Sequence, residues 1–104
     1  MLIDTHAHVN LKYFKEDGDK VIQNALQEEV WMVLVGSEYR TSKRALGYAN
    51  KYEKGVYAAV GLHPLHLQAL RATDDEYDFE TRAEDFNYDI YEKLAQFDKT
   101  AAIG

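Results

Sequence analysis

Short apolar runs alternate along the chain with longer amphipathic stretches. The apolar runs are LIDTHAHV, VWMVLVG, VYAAVGLH and TAAIG, at residues 2–9, 30–36, 56–63 and 100–104. They are rich in β-branched and aromatic residues and mostly end at glycine or at a polar turn, which is typical of strands. The second and third runs are nearly continuous in hydrophobicity, as expected for strands that are covered on both faces. The pattern therefore predicts four strands.

Three stretches with helical spacing lie between these runs. They are residues 17–29 with Asp19 as the candidate N-cap, residues 41–55 with Thr41 or Ser42 as the cap and Gly55 as the end, and residues 85–97. In the last stretch the apolar positions follow the 3.6-residue period: Phe86, Ile90, Leu94 and Phe97. The predicted order is β-α-β-α-β-α-β. Strands that alternate with helices pair in parallel, so we expect an α/β fold built from parallel (β/α) units.

Composition limits the class of protein. The chain has 104 residues, 46% hydrophobic and 29% charged, which predicts one soluble globular domain over residues 1–104. No apolar run approaches the roughly 20 residues of a membrane span, and no secretory signal is present. The absence of cysteine excludes disulfides and thiolate metal sites. Together these features favour a cytoplasmic protein with no membrane partner.

The negative charge of the chain is concentrated in one segment. The formal net charge is −6, but residues 74–89 alone hold eight acidic residues and one basic residue. We expect this segment to be a solvated loop and the start of a helix, so it says little about what the rest of the surface binds. The overlapping polar stretch 65–82 is longer than an ordinary βα loop. Loops of that kind at the carboxyl ends of strands often carry function.

The histidines fall where parallel α/β folds gather their functional groups. In a strand with period 2, Asp4, His6 and His8 share one face of the first run, and His63 lies at the end of the third. Neutral imidazole is the commonest protein ligand for zinc and similar ions, and an i, i+2 pair on a strand directs both rings to one point. The sequence therefore predicts a divalent-metal site at His6 and His8.

Other interpretations of these residues stay open at this point. Asp4 either accepts a hydrogen bond from a ligand histidine or satisfies backbone groups. His63 can be a loop residue fixed by Pro64, and His66 is interpreted as an ordinary loop residue. Catalytic zinc generally has three protein ligands plus water, and no acidic residue ends a later predicted strand. The sequence thus predicts only half of a metal site.

Three separated motifs occur in order along the whole chain: IDTHAHVN, VGLHP and AAIG. Together they resemble the TatD family of metal-dependent hydrolases, the TatD-related deoxyribonucleases. That family begins with a D-[ST]-H-x-H strand, carries G-[VIL]-H-P after its third strand and continues A-I-G-E-x-G-L-D. The long acidic stretch before the third helix departs from the shorter members of the family.

The resemblance implies a TIM (β/α)₈ barrel, of which this chain is the N-terminal half, cut within the fourth strand. It implies that His6 and His8 bind one or two divalent ions (zinc, magnesium or manganese) and that His63 contacts a substrate phosphate. A glutamate ligand would follow Gly104 directly, and further ligands would come from later strands. The implied reaction is hydrolysis of a phosphodiester bond, with DNA as the usual substrate, and the fragment alone would be inactive.

Two other classes of function remain. One is a different H-x-H metal hydrolase, either an amidohydrolase or a phosphoesterase of the histidinol-phosphatase type, which the GLHP and AAIG motifs disfavour. The other is a non-catalytic α/β interaction module. The unprotected terminal strands of a half-barrel also predict self-association through exposed sheet edges.

Overall fold

A computed structural model describes residues 1–67, 71–73, 78–80 and 85–104. Its helices are α1 (Gly18–Gln27), α2 (Tyr39–Lys51) and α3 (Tyr88–Ala95). Its strands are β1 (Leu2–Ala7), β2 (Val30–Val35), β3 (Val56–Val60), β4 (Arg71–Thr73), β5 (Asp78–Glu80) and β6 (Thr100–Ile103). Short 3-10 helices lie at Lys12–Phe14 and Pro64–Leu67.

The main sheet has four parallel strands in the order β1-β2-β3-β6. Each strand is joined to the next by a segment that contains α1, α2 or α3, because a parallel connection must cross back over the sheet. This arrangement confirms the predicted α/β order. Four parallel strands that alternate with helices in this order are consistent with the N-terminal half of a TIM barrel.

The hydrophobic core lies between the helices and one face of this sheet. Along β2, Met32 and Leu34 are buried, whereas Trp31 and Val33 on the alternate positions are half-buried. The other buried apolar residues of the core come from the turn after β1 and from α1, α2, β3 and α3: Val9, Ile22, Ala45, Leu46, Ala49, Val56, Ala58, Val60, Tyr91 and Leu94. Full burial of each larger aliphatic side chain stabilises the fold by about 1.5–3 kcal/mol. The helices cover the face of β2 that carries Met32 and Leu34, and the residues on its other face are half-buried.

Strand β1 departs from the strict alternation predicted for it. Asp4 lies opposite Met32 and Ala7 lies opposite Leu34, so three residue steps in β1 match two steps in β2. An irregularity of this kind shifts the faces that side chains occupy. The register of β1 against β2 therefore departs from the strict period 2 on which the shared face of Asp4, His6 and His8 was predicted.

Helix α1 begins at a different cap from the predicted one. Its N-cap is Asp17, and Asp19 lies in the first turn of the helix. The Asp19 carboxylate instead accepts hydrogen bonds from Lys51 Nζ and the Tyr52 hydroxyl, each at 2.9 Å. Asp19 therefore joins the start of α1 to the end of α2.

Helix α2 also starts earlier than predicted. Its N-cap is Glu38, whose carboxylate accepts the backbone N–H groups of Arg40 at 3.0 Å and Thr41 at 2.6 Å. The Thr41 hydroxyl in turn accepts the N–H of Glu38, which completes a capping box with the usual residue types exchanged. Neither Thr41 nor Ser42 is the cap, because the longer Glu38 side chain already reaches the free N–H groups. The helix ends at Lys51, and Gly55 lies in the following turn at φ +94°.

Helix α3 is capped by Asn87, whose side chain accepts the N–H of Ile90 at 3.3 Å. Of the predicted apolar stripe, Leu94 is buried and Ile90 half-buried, but Phe86 and Phe97 lie outside the helix and are 60% and 50% exposed. The helical stripe is therefore shorter than predicted.

The long polar stretch 65–82 contains secondary structure that the sequence analysis did not predict. Strands β4 and β5 pair antiparallel, with Ala72 opposite Phe79, and form a sheet of their own. Within the acidic segment, residues 74–77 and 81–84 lie outside the described residues, and its end forms the start of α3. None of the helices in the described ranges combines the length and apolar character needed to cross a membrane.

Candidate metal centre

The imidazoles of His6 and His8 lie together at the carboxyl end of β1. Their ring centroids are 4.9 Å apart and the ring planes meet at 81°, an edge-to-face contact. His6 is exposed and His8 is half-buried. The two rings therefore lie side by side at the end of the strand, with His6 open to solvent.

The hydrogen bond of His8 determines its tautomer. Its Nδ1 lies 3.1 Å from the carbonyl oxygen of Val35, at the end of β2. A carbonyl oxygen only accepts, so in neutral His8 the proton is on Nδ1 and Nε2 keeps a free lone pair. Metal-binding histidines commonly have this arrangement, in which a backbone carbonyl holds one nitrogen and leaves the other for the ion.

The surroundings of His8 also act on its charge. Burial lowers the pKa of His8, and the nearby His6 lowers it further, while the bond to Val35 and the charge of Asp4 act in the opposite direction. The net pKa lies below the ordinary value of 6.5. The neutral form, which is the form that binds metals, is therefore favoured.

Asp4 contacts the backbone. Its Oδ1 accepts the backbone N–H of His6 at 3.0 Å, within the irregular part of β1. Of the two alternatives left open by the sequence, this contact matches the satisfaction of a backbone group. No hydrogen bond from an imidazole to Asp4 is present in the described part of the chain. Asp4 thus shapes the strand beneath the histidines.

His63 is exposed in the loop after β3 and has the opposite tautomer from His8. Its Nδ1 accepts the backbone N–H of Leu65 at 3.1 Å, so in the neutral ring Nε2 carries the proton. The backbone N–H of His63 donates to the carbonyl oxygen of Ser37 at 2.7 Å, which fixes the loop beside the end of β2. A ring that presents Nε2–H suits an anionic oxygen better than a cation.

The interpretation of His66 as an ordinary loop residue is wrong. His66 is only 8% exposed, and its Nε2 lies 3.2 Å from the hydroxyl of Ser37. Its backbone N–H donates to the carbonyl of His63 at 2.9 Å. The residue therefore holds the His63 loop against β2, a contact between distant segments that no local pattern signals.

Sequence reasoning also missed Asn10, which connects the turn after β1 to the end of β2 and to α2. Asn10 is fully buried, and its Nδ2 donates to the carbonyls of Val35 at 3.1 Å and Thr41 at 3.0 Å. The Thr41 hydroxyl accepts the N–H of Ser37 at 2.8 Å. Asn10 lies in the turn after β1, outside the strand, so the alternation read from the sequence does not indicate its role.

The described residues supply only part of a metal site. Residues 1–67, 71–73, 78–80 and 85–104 contain no group of three or more histidine, cysteine, aspartate or glutamate side chains arranged to hold an ion. The chemistry of the donor pair still fits a divalent cation, because His8 Nε2 is free and the His6 ring lies beside it.

Comparison with known proteins identifies a family and several relatives of this chain. The family described as TatD related DNase matches residues 3–104. A protein of Bacillus subtilis named as the uncharacterized metal-dependent hydrolase YabD is 38% identical over 77 residues, covering 73% of this chain and 29% of its own length. The similarly named YjjV of Escherichia coli is 38% identical over 67 residues, covering 64% of this chain and 26% of its own. A metal-dependent hydrolase of Methanocaldococcus jannaschii is 34% identical over 67 residues, with 64% and 26% covered.

The matched segments thus span less than a third of the length of these relatives. The family match nevertheless runs through almost the whole chain and includes His6, His8 and His63. The parallel sheet and the paired imidazoles at its carboxyl edge agree with it. This chain belongs to the TatD-related DNase family.

Proposed function

We propose that this chain is part of a metal-dependent hydrolase that cleaves phosphodiester bonds, with DNA as its substrate. The observation that carries the proposal is the bond from His8 Nδ1 to the Val35 carbonyl, which leaves Nε2 free next to the His6 ring. The names of the relatives support a metal-dependent hydrolase, and the family description supports DNA.

In this proposal His6 and His8 hold one or two divalent ions. Such an ion, when bound, supplies positive charge that activates water and neutralises charge developing on the phosphoryl group. Imidazole donors fit zinc best among the candidates, whereas magnesium prefers oxygen ligands, so the identity of the remaining ligands decides the metal.

His63 has a separate role in the proposal. Its exposed Nε2–H donates to a phosphate oxygen of the substrate. The bond from Leu65 N–H to Nδ1 orients the ring, and the bond from the His63 backbone N–H to the Ser37 carbonyl fixes the loop that carries it. A hydrogen bond to a charged group of this kind contributes about 1.5–3 kcal/mol. His63 therefore binds the substrate without holding the metal.

Two imidazoles are fewer ligands than a catalytic metal site uses. We propose that the remaining ligands come from other strands of the family barrel, starting with a glutamate after Gly104. Residues 1–104 alone should consequently show little or no hydrolysis of DNA. Cleavage by the 104-residue chain that depends on His6 would contradict this part of the proposal.

The main test uses a longer protein in which residues 1–104 are followed by the remainder of the family barrel. We expect the purified protein to contain divalent metal and to cleave DNA. The double variant His6→Ala, His8→Ala should lose the metal and orders of magnitude in rate, while the control Asn50→Ala, exposed on α2, should keep both. Normal metal content and cleavage in the double variant would disprove the proposal.

A substrate panel distinguishes the other hydrolases that begin with H-x-H. Cleavage of phosphodiesters but not of amides or phosphomonoesters supports the proposed function. Preferential cleavage of amides would indicate an amidohydrolase, and preference for phosphomonoesters a phosphatase. If a protein partner binds equally well after both histidines are replaced, the chain is an interaction module.

We further propose that the uncovered parts of the sheet associate with other strands. In the described residues β1 pairs only with β2 and β6 only with β3, and Leu2, Ile3 and Ile103 are 71%, 53% and 73% exposed. Exposed apolar strand edges of this kind favour pairing. The 104-residue chain should therefore self-associate in light scattering, and a monodisperse monomer at high concentration would contradict this.

A further inference from the structure

Asn10 and His8 share one hydrogen-bond acceptor. The carbonyl oxygen of Val35 accepts from Asn10 Nδ2 at 3.1 Å and lies 3.1 Å from His8 Nδ1. A carbonyl oxygen has two lone pairs, so it can accept both bonds at once. The two donors reach it from positions two residues apart, at the carboxyl end of β1.

The Asn10 residue is itself held on several sides. Its second amide bond runs to the carbonyl of Thr41 on α2 at 3.0 Å, and Arg44 Nη1 donates to the Asn10 carbonyl at 2.9 Å. The side chain has no exposed surface. A side chain fixed by β2 and α2 at once can hold the Val35 carbonyl in one position relative to His8.

The orientation of the amide follows from its neighbours. If the amide were turned over, Oδ1 would face the two carbonyl oxygens of Val35 and Thr41, which cannot donate. In the observed orientation Oδ1 is buried and has no hydrogen-bond partner in the described part of the chain. A buried acceptor without a partner costs about 1–3 kcal/mol. A hydrocarbon side chain would fill the same space without the free-energy cost of an unpaired acceptor. The two N–H groups of Asn10, which both donate hydrogen bonds, are therefore what distinguishes it from such a side chain.

We propose that Asn10 is a positioning residue for His8. By fixing the Val35 carbonyl, Asn10 keeps the His8 ring in the Nδ1–H tautomer and directs the free Nε2 toward the shared site with His6. This inference rests on the proposed role of His8 as a metal ligand. It adds that Asn10, which does not touch the metal, determines which nitrogen of His8 is left to bind it.

The first test reads the tautomer directly, with no metal present. Two-bond ¹H–¹⁵N correlation spectra of the ¹⁵N-labelled chain at pH 8 distinguish Nδ1–H from Nε2–H for each histidine. We expect Nδ1–H for His8 and Nε2–H for His63 in the wild type. A wild-type His8 in the Nε2–H form would overturn the proposal without any variant.

The variants Asn10→Ala and Asn10→Asp remove the two donors. Asn10→Asp keeps the shape but turns an oxygen toward Val35 and Thr41, and Asn50→Asp is the matched control on the exposed face of α2. We expect a mixture of His8 tautomers in both Asn10 variants, with the His63 signals and the Asn50→Asp spectra unchanged. A folded Asn10 variant in which His8 stays fully Nδ1–H would refute the positioning role.

A titration with Zn²⁺ alone separates this inference from the proposed function. We expect roughly 10-fold weaker binding in Asn10→Ala, the usual effect of removing a group that orients a ligand. If His8→Ala binds Zn²⁺ as well as the wild type, the ligand assignment fails, whatever Asn10 does. If His8→Ala loses binding but Asn10→Ala keeps both tautomer and affinity, only the positioning role fails.

Discussion

The hydroxyl of Ser42 lies within hydrogen-bond distance of both backbone polar groups of Gly61, 3.2 Å from its nitrogen and 3.3 Å from its oxygen. Ser42 is fully buried on α2, and Gly61 directly follows β3. This contact fixes the helix to the point where the His63 loop leaves the sheet.

Replacing Ser42 by alanine should therefore destabilise the fold. The change leaves the buried polar groups of Gly61 without this partner, which costs about 1–3 kcal/mol. Urea unfolding of Ser42→Ala measures the loss. Lys43→Ala, at the next and exposed position, should stay within about 0.5 kcal/mol of the wild type. Equal stability of the two variants would show that the Ser42 contact is not formed.

Two glycines should respond to alanine in opposite directions. A Cβ on Gly36 would lie 2.5 Å from the backbone Cα of Ser42, which cannot rotate away, so Gly36→Ala should destabilise by about 1–3 kcal/mol. Gly47 lies inside α2 with nothing within 4 Å of an added Cβ. Gly47→Ala should stabilise by about 0.5–1 kcal/mol, because alanine is the better helix former. Thermal unfolding of both variants checks the sign of each change.

The Asp19 contact predicts a dependence of stability on pH. The hydrogen bond from Lys51, and then that from Tyr52, lower the pKa of Asp19 below its ordinary value of 3.8. The contribution of Asp19 to stability is therefore fully present above pH 3.8 and is lost as the pH falls through the lower pKa of the folded state. Asp19→Asn should be less stable than the wild type at pH 6, and the difference should vanish in stronger acid.

The size of the Asp19 effect should be small. The Lys51 and Asp19 side chains are 57% and 46% exposed, and salt screens such pairs. Unfolding curves in low and high salt should show the difference shrinking as salt is added. Asp98→Asn, at another exposed aspartate, serves as the control. A difference between Asp19→Asn and the wild type that persists unchanged into strong acid would show that the carboxylate charge is not its cause.

The tautomer of His63 predicts that its variants change the binding of DNA and leave the metal content unchanged. In the longer protein, His63→Ala should raise KM for DNA about 10-fold or more through the loss of a charged hydrogen bond, with metal content unchanged. His63→Gln should keep part of the affinity, because its amide offers an N–H donor. Steady-state kinetics and metal analysis give the two readouts. Loss of metal in His63→Ala would place His63 among the ligands.

The order of the parallel strands and the contact between the His6 and His8 rings could be predicted from the sequence. Both follow from local periodicity: apolar runs of strand length separated by helical spacing, and two rings two residues apart. The family was likewise indicated by three short motifs, and the match over residues 3–104 confirms it.

The features that the sequence did not predict depend on competition between residues for the same hydrogen bonds, or on contacts between distant segments of the chain. Asp19 and Thr41 are both good N-cap residues, but Asp19 is engaged by Lys51, and Glu38 reaches the free N–H groups of α2 first. The irregularity in β1 depends on the register with β2. The ring of the buried His66 contacts Ser37, 29 residues earlier in the chain. The helix and strand propensities of the individual residues carry none of this information.

The small antiparallel sheet of β4 and β5 shares no strand with the parallel sheet. The His66 anchor comes before it, and the Asn87 cap of α3 comes after it. The bond from His8 to the Val35 carbonyl and the contact between the His6 and His8 rings both lie outside this stretch of the chain. A change of length or charge between His66 and Asn87 therefore leaves the residues that form these two contacts unchanged.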